Sequence, residues 1–240
     1  VGGEMTDMSR VESLYPFLYT DHGDHGDLDG DLDGDLDSVL DEVRCSTVGK
    51  VHEIVGLRRM VAERDGRRLA GCAEEMAVRF AAGGRLLTFG NGGSSTDAQD
   101  LASLFLSPDG DAPPLPAFAL TNDIAVVTAL SNDVGFDVVF SRQLGAFGRS
   151  GDIAVGLSTS GNSSNLLRAF DEAARIGMLT VGIAGYDGGK MAELGGIDYL
   201  FVVPSASVHR VQEAQTTLYH VLWELTVATV GPAAGHPDPE

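Results

Sequence analysis

Short apolar stretches alternate with stretches of helical period over most of this chain. Strands that are buried on both faces are almost continuously apolar, and they occur in parallel sheets whose two faces are covered by helices. The alternation therefore predicts an α/β fold built on a parallel sheet. In such sheets the turns that lead from strand to helix gather at one edge, where ligands bind. The predicted strands are 85–90, 116–120, 152–157, 179–184 and 199–203.

The stretches around the strands predict helices, because their apolar residues recur with a helical period. Gly66 is expected to divide the first helical stretch into two helices, and Gly83 with Gly84 to end it. The predicted helical stretches are 48–82, 95–105, 124–130, 137–147, 163–176 and 208–230.

The negative charge of the chain is concentrated towards its N-terminus. The net charge is −19, and residues 21–43 contain nine Asp and one Glu but no Lys or Arg. Like charges at this density repel one another, so the segment predicts a solvated acidic linker. A calcium loop that begins at Asp29 is the less favoured interpretation, since its twelfth position is Leu40 rather than Glu. An acidic surface also repels phosphate backbones, so we expect no direct nucleic-acid partner.

These patterns predict three parts of the chain: an N-terminal extension over 1–47, one domain over 48–230 and a flexible tail over 231–240. No apolar run approaches the roughly 20 residues that cross a bilayer, and no basic segment followed by an apolar one marks a secretory signal. Cys45 and Cys72 form neither a disulfide framework nor a metal-ligand spacing. We therefore expect a cytoplasmic protein without a membrane partner.

The first predicted strand is followed by a glycine-rich turn, Gly-Asn-Gly-Gly-Ser over residues 90–94. Glycines let the backbone turn sharply and approach a ligand closely. The helix behind the turn directs free N–H groups and the positive end of its dipole at an anion. The turn lacks the third glycine of a dinucleotide fingerprint and the lysine of a Walker phosphate loop. The turn therefore predicts an anion site. The alternative is that it only connects a strand to a helix and binds no ligand.

A second strand-to-helix turn is rich in hydroxyl groups. Residues 158–164 read Ser-Thr-Ser-Gly-Asn-Ser-Ser. One helix cap requires one such side chain, so we expect the others to bind a phosphate together with the N–H groups of the helix. Binding of this kind needs no Lys or Arg, which suits an acidic chain. A Ser-rich capped turn without a ligand is the alternative.

Five motifs occur in the same order as in a known family. Over about residues 48–230 the chain resembles the sugar isomerase (SIS) family, and within it the sedoheptulose-7-phosphate isomerase branch. The resemblance implies a three-layer fold, in which helices flank a five-stranded parallel sheet. It also implies a homotetramer with ligand sites between subunits and a phosphorylated sugar as the ligand. The motifs are GNGGS at 90–94, SND at 131–133, STSGNS at 158–163, GYDGG at 185–189 and VQE at 211–213.

The resemblance also assigns site residues. The positions that match the family's phosphate and sugar contacts are Ser94, Ser158, Thr159, Ser160 and Ser163. The positions that match further substrate contacts are Asn91, Gly92, Gly93, Asn132, Asp133 and Gln212.

Gln212 and His220 on the final predicted helix match the family's Gln and its catalytic His. Members that bind zinc use these residue types as ligands. The resemblance therefore implies zinc as a candidate cofactor, with Gln212 and His220 as candidate metal ligands. The two residues are eight positions apart in the sequence, about 12 Å along a helix. One straight helix cannot present both to one ion, which predicts a site shared between subunits.

The helix after the glycine-rich turn departs from the family pattern. Asp100 stands where the zinc-binding members have His, and Leu104 stands where the family has its catalytic Glu. Leucine cannot transfer a proton. Asp100 lies one turn before Leu104 on the same helix face, so its carboxylate is a candidate replacement, with a solvated helix acid as the alternative. His209, three turns before His220 on nearly the same helix face, is a candidate to pair with a carboxylate such as Asp100 across the site.

Two functional hypotheses follow from these patterns. The first is an aldose–ketose isomerase that acts on a sugar phosphate, with His220 and Asp100 as catalytic residues and with impaired or altered turnover. The second is a non-catalytic phosphosugar-binding or assembly protein, similar to the relative that associates with the bacterial replication initiator, which the leucine at position 104 favours. A nucleotide-binding module is disfavoured, since neither a ribose-binding acid nor a Walker lysine is in place.

Overall fold

The computed structural model describes residues 32–108, 110 and 112–231. The chain divides into two compact units, residues 1–49 and residues 50–240. Residues 29–31 of the predicted calcium loop and the last nine residues of the predicted tail lie outside the described residues. The rest of that loop, residues 32–40, is helical, so the calcium-loop interpretation is wrong there. The described part of the first unit is helical.

Helix α1 extends from Leu32 to Ala81 without interruption. The predicted acidic linker is therefore wrong for residues 32–43. Leucines recur every fourth position there in the sequence, and acids near a helix N-terminus interact favourably with the helix dipole. The predicted break at Gly66 is also wrong. A glycine inside a helix costs only about 1 kcal/mol, and the buried residues Val61 and Leu69 continue one apolar face across it.

Five parallel strands form a single sheet in the order β2–β1–β3–β4–β5. This confirms the α/β class and the five-stranded parallel sheet. The strands are β1 (Leu86–Gly90), β2 (Ala117–Ala119), β3 (Ile153–Ser158), β4 (Leu179–Gly185) and β5 (Tyr199–Val203). The other helices are α2 (Gly93–Leu106), α3 (Ile124–Asp133), α4 (Val139–Phe147), α5 (Ser164–Ile176), α6 (Gly189–Glu193) and α7 (Val208–Val230), and a 3₁₀ turn covers Phe136–Val138.

Successive strand residues point to opposite faces of the sheet, and each face packs into its own core. Leu86 of β1 belongs to the core formed with α1, α2 and α7. The next residue, Leu87, belongs to the core formed with α3, α4, α5 and α6. Both leucines are fully buried. The strands are therefore apolar at every position because both faces of the sheet are covered.

A buried ion pair joins β1 and β3 at the edge where these strands begin. One Asp152 oxygen accepts a hydrogen bond from the Arg85 side chain at 2.6 Å, and the other accepts one from the Arg85 backbone N–H at 2.9 Å. The Arg149 backbone N–H donates a further bond at 3.0 Å. The Asp152 side chain is only 3% exposed. Its charge is thus fully compensated inside the protein.

Candidate functional site

The two turns singled out in the sequence lie side by side in the fold. Strand β1 continues to β2 on one side of the sheet, whereas β3 continues to β4 and β5 on the other. Neighbouring strands whose connections run in opposite directions form a crevice at their carboxyl ends, where ligands of α/β proteins bind. The turns after β1 and β3 are the walls of this crevice.

The hydroxyl-rich turn after β3 holds its own backbone with two of its serines. The buried Ser158 accepts a hydrogen bond from the Gly161 N–H at 3.0 Å, and Ser160 accepts one from the Asn162 N–H at 3.3 Å. Gly161 has a φ of +66°, and a Cβ there would collide with the Gly188 carbonyl. Only glycine fits this close approach between two loops.

Ser163 is the N-cap residue of α5, and its side chain makes no capping hydrogen bond. Its hydroxyl and the first N–H groups of α5 are therefore available to an anion. Thr159 is half-buried between Ser158 and Ser160. The turn thus has hydroxyl and backbone donors free for an anion, and phosphate binding here stays a prediction.

The glycine-rich turn after β1 packs against the start of α7. Gly92 has a φ of +56° and immediately precedes α2, and Ser94 is buried in the first turn of that helix. The Gln212 amide lies so close to Gly93 that a Cβ on Gly93 would overlap it. Gln212 therefore lies beside this turn, at the N-terminal end of α2.

A reciprocal pair of amides joins the two turns. The Asn91 Nδ2 donates to the Asn165 Oδ1 at 2.9 Å, and the Asn165 Nδ2 donates to the Asn91 Oδ1 at 3.0 Å. The Asn91 amide uses one donor and one acceptor in this pair, and its expected contact with substrate stays a prediction. Asn165, which is 2% exposed, was missed because an Asn at a helix start resembles an ordinary capping residue.

A third loop, between β4 and α6, completes one side of the crevice. Tyr186 in this loop has a φ of +54°, a conformation that is uncommon for a residue with a side chain and that recurs at functional sites. Tyr186 and Asp187 line an open cavity of about 590 Å³ together with Ser160 and Asn162. The cavity is large enough for a small phosphorylated sugar.

Asn132 and Asp133 lie at the exposed C-terminal end of α3. The Asn132 side chain donates to Asp133 at 2.8 Å. Neither residue lines the cavity, so their role as substrate contacts stays a prediction.

An acid and a histidine meet between α2 and α7. The Nε2 of His220 lies 3.6 Å from the Oδ2 of Asp100, and the two side chains are 39% and 50% exposed. The structure thus pairs Asp100 with His220. His209 of the same chain does not reach Asp100, because it lies exposed in the first turn of α7, three turns away from His220. A pairing of His209 with Asp100 between subunits stays a prediction.

Leu104 is partly buried and packs against the core formed with α1 and α7. An acid at this position would face apolar neighbours. The substitution is therefore accommodated by packing, and the carboxylate next to the histidine comes from Asp100 one turn earlier.

Asp97, on the same helix, was not singled out in the sequence. Its Oδ2 is buried without a hydrogen-bond partner among the described residues. Burial, and to a smaller extent the charge of Asp100, raises the pKa of Asp97 to about 6. The raised pKa of Asp97 could not have been predicted from a sequence pattern, because its burial comes from long-range packing.

We expect the stability of the protein relative to an Asp97→Asn variant to depend on pH. The folded state holds the proton of Asp97 up to about pH 6, whereas an unfolded Asp loses it near about pH 4. The relative stability is therefore highest below pH 4 and falls as the pH rises towards 6. Melting temperatures of both proteins across this window test this, with Asp171→Asn on the exposed face of α5 as the control. A constant difference would contradict it.

Zinc does not fit the side chains that one chain brings together. Gln212 lies beside Gly93 and His220 beside Asp100. Among the described residues, no three His, Cys, Asp or Glu side chains are grouped closely enough to hold a metal ion. The assignment of Gln212 and His220 as metal ligands stays a prediction for an assembly of subunits.

Residues 51–185 match the SIS domain family. The chain belongs to the SIS domain family. It is 48% identical over 176 residues to a phosphoheptose isomerase of Desulfovibrio desulfuricans. The aligned region covers 68% of this chain and 83% of that relative. A phosphoheptose isomerase of Nitratidesulfovibrio vulgaris is 43% identical over 178 residues, covering 73% and 85%.

Solved SIS structures are also similar to this one. A phosphoheptose isomerase from Francisella tularensis superposes with a TM-score of 0.72 at 30% identity, covering 79% of this chain and 98% of that one. A phosphoheptose isomerase from Neisseria gonorrhoeae gives a TM-score of 0.70 at 34% identity, covering 78% and 99%. In the described residues of the present SIS protein, no helix is long and apolar enough to cross a membrane.

Proposed function

We propose that this SIS protein is a phosphoheptose isomerase-like enzyme that interconverts a ketose phosphate of the sedoheptulose 7-phosphate type and its aldose. The family relationship and the phosphoheptose isomerase relatives support the substrate class. The observation that carries the reaction is the approach of His220 to Asp100 at 3.6 Å between α2 and α7.

Aldose–ketose isomerisation needs a base on the carbon next to the carbonyl and an acid at the oxygens. Asp100 takes the proton from that carbon, which leaves an enediol, and the proton returns to the neighbouring carbon. His220 exchanges a proton with the carbonyl and hydroxyl oxygens. Ser158, Thr159, Ser160, Ser163 and Ser94 bind the phosphate and sugar, with Gln212, Gly92 and Gly93 at the adjacent turn.

Turnover is expected to be slower than in an enzyme with a glutamate in place of Leu104. The Asp100 carboxylate is displaced by about 6 Å along the helix and its side chain is shorter. Nuclear magnetic resonance of sedoheptulose 7-phosphate in deuterated water tests the proposal, since each proton transfer incorporates deuterium at carbon. Incorporation with this substrate, and none without protein, supports an isomerase.

The alternative is a non-catalytic phosphosugar-binding or assembly protein. The apolar packing of Leu104 favours it, because the side chain at the position of the family's acid packs against the core. Binding of the sugar phosphate without deuterium incorporation would establish this alternative in place of the isomerase.

The domain bounds, the location and the assembly of the protein are also part of the proposal. We place the SIS domain at 48–230 after an N-terminal extension over 1–47, in a cytoplasmic homotetramer. Gln212 and His220 are eight positions apart on α7, too far to serve one site from a single chain. This supports sites shared between subunits, because a second subunit could bring the second residue to each site. Light scattering at micromolar concentration tests the assembly, and a monomer would contradict it.

We expect sugar phosphates to raise the melting temperature of the protein, and Ser160→Ala with Ser163→Ala to remove this shift. Hydrogen bonds to a charged group contribute about 1.5–3 kcal/mol each, so losing two should weaken binding by more than about a hundredfold. Thermal shift assays with phosphorylated and unphosphorylated sugars measure the change in melting temperature for each protein. Ser150→Ala, at the opposite edge of the sheet, is the control, and an unchanged shift in the double variant would disprove the phosphate assignment.

A further inference from the structure

Two side chains of α7 converge on one oxygen of Asp100. The Tyr219 hydroxyl donates a hydrogen bond to the Asp100 Oδ2 at 2.8 Å, and the His220 Nε2 lies 3.6 Å from the same atom. Tyr219 is only 2% exposed, whereas the Asp100 side chain is 50% exposed. A buried donor thus holds an acid that is otherwise open to solvent.

The rings on α7 fix the position of this donor. Tyr219 stacks on His220 with ring centroids 5.2 Å apart at 28°, and His220 meets Trp223 edge-on at 6.5 Å. Burial raises the pKa of Tyr219; the Thr216 hydroxyl acts in the opposite direction, and the bond to Asp100 raises the pKa again. The phenol therefore keeps its proton at neutral pH and remains a donor.

We propose that Tyr219 is the positioning residue that makes Asp100 an effective base in a helix where Leu104 supplies none. An exposed Asp side chain samples several rotamers. With Oδ2 held by Tyr219 and facing His220, Oδ1 is the oxygen left to accept the proton from the sugar carbon. The C–H bond breaks and its electron pair forms the C=C bond, while the carbonyl π electrons move to the oxygen, which takes a proton from His220 to give the enediol. The proton from carbon forms the O–H bond on Oδ1. This inference rests on the proposed isomerase function.

Tyr219→Phe removes the hydroxyl but keeps the ring and its stacking on His220. The matched control is Tyr199→Phe, which also removes a single phenol hydroxyl. Tyr199 lies on β5, the outer strand of the sheet, and its hydroxyl donates a hydrogen bond to Glu75 at 3.3 Å. We expect Tyr219→Phe to lower the kcat for sedoheptulose 7-phosphate about ten- to a hundredfold with KM changed less than about twofold. Tyr199→Phe should leave both constants unchanged.

A double variant separates positioning from a role of its own. If Tyr219 acts through Asp100, adding Tyr219→Phe to Asp100→Asn should lower the rate no further than Asp100→Asn alone. An undiminished kcat in Tyr219→Phe, or an additive loss in the double variant, would overturn the proposal.

A structural measurement decides the positioning even if the isomerase function fails. Absence of deuterium incorporation by the unmodified protein would refute the proposed function. Crystal structures of the unmodified protein and of Tyr219→Phe then compare the Asp100 side chain. One rotamer in the former and several in the latter support the positioning role, whereas the same single rotamer in both overturns it.

Discussion

Asp100→Asn is expected to lower deuterium incorporation into sedoheptulose 7-phosphate by about 10²–10⁴-fold, because general acid–base groups typically contribute that much. The amide has nearly the shape of the carboxylate and can still meet the Tyr219 hydroxyl, which lies 2.8 Å from the Asp100 Oδ2. It cannot accept the proton from carbon. Binding of the sugar phosphate should therefore persist, as measured by calorimetry or thermal shift.

The control for this variant is Asp171→Asn, which removes an exposed helix acid from α5. It should change neither rate nor binding. If Asp100→Asn isomerises as fast as the unmodified protein, the base is another residue and the role given to Asp100 is wrong.

Asp152→Ala is expected to destabilise the protein by about 3–5 kcal/mol. The variant removes a carboxylate that is 3% exposed and leaves the Arg85 guanidinium, which is 23% exposed, without its ion-pair partner. The Arg149 and Arg85 backbone N–H groups lose their acceptor as well. Urea unfolding, followed by circular dichroism, measures the change in the free energy of unfolding.

Arg175→Gln is the matched control for the buried pair. It breaks an ion pair with Glu172 on the surface of α5, where Arg175 is 69% exposed. Exposed pairs contribute about 0–1 kcal/mol, so this variant should lose little stability. A loss below about 1 kcal/mol in Asp152→Ala would show that water compensates the charge and that the pair is not a structural anchor.

The sheet could be predicted from the sequence because it depends on local signals. Leu86 and Leu87 are neighbours that enter different cores, and an apolar run of this kind identifies a strand covered on both faces. The predicted bounds of α7, 208–230, agree with Val208–Val230. Gly66 misled the prediction of α1, because a helix break depends on whether tertiary packing continues across the glycine.

The candidate site could be predicted only in part, because its chemistry depends on which helix faces meet. The hydroxyl-rich and glycine-rich turns carry their own local patterns. The partners of Asp100 do not, since the sequence separates Tyr219 from Asp100 by 119 positions. Likewise Asn165 pairs with Asn91 across 74 positions. Contacts of this range arise from the order of strands in the sheet, which no local spacing encodes.

The amide pair between Asn91 and Asn165 has a consequence for how a ligand enters. Both side chains give one donor and one acceptor to each other, which holds the two turns in a fixed frame before any sugar phosphate arrives. Because the two turns are already ordered, binding does not include the entropic cost of ordering loops, which is one of the main costs of binding. Association should therefore proceed as a single step at a rate that rises linearly with ligand concentration, without a slow closing phase.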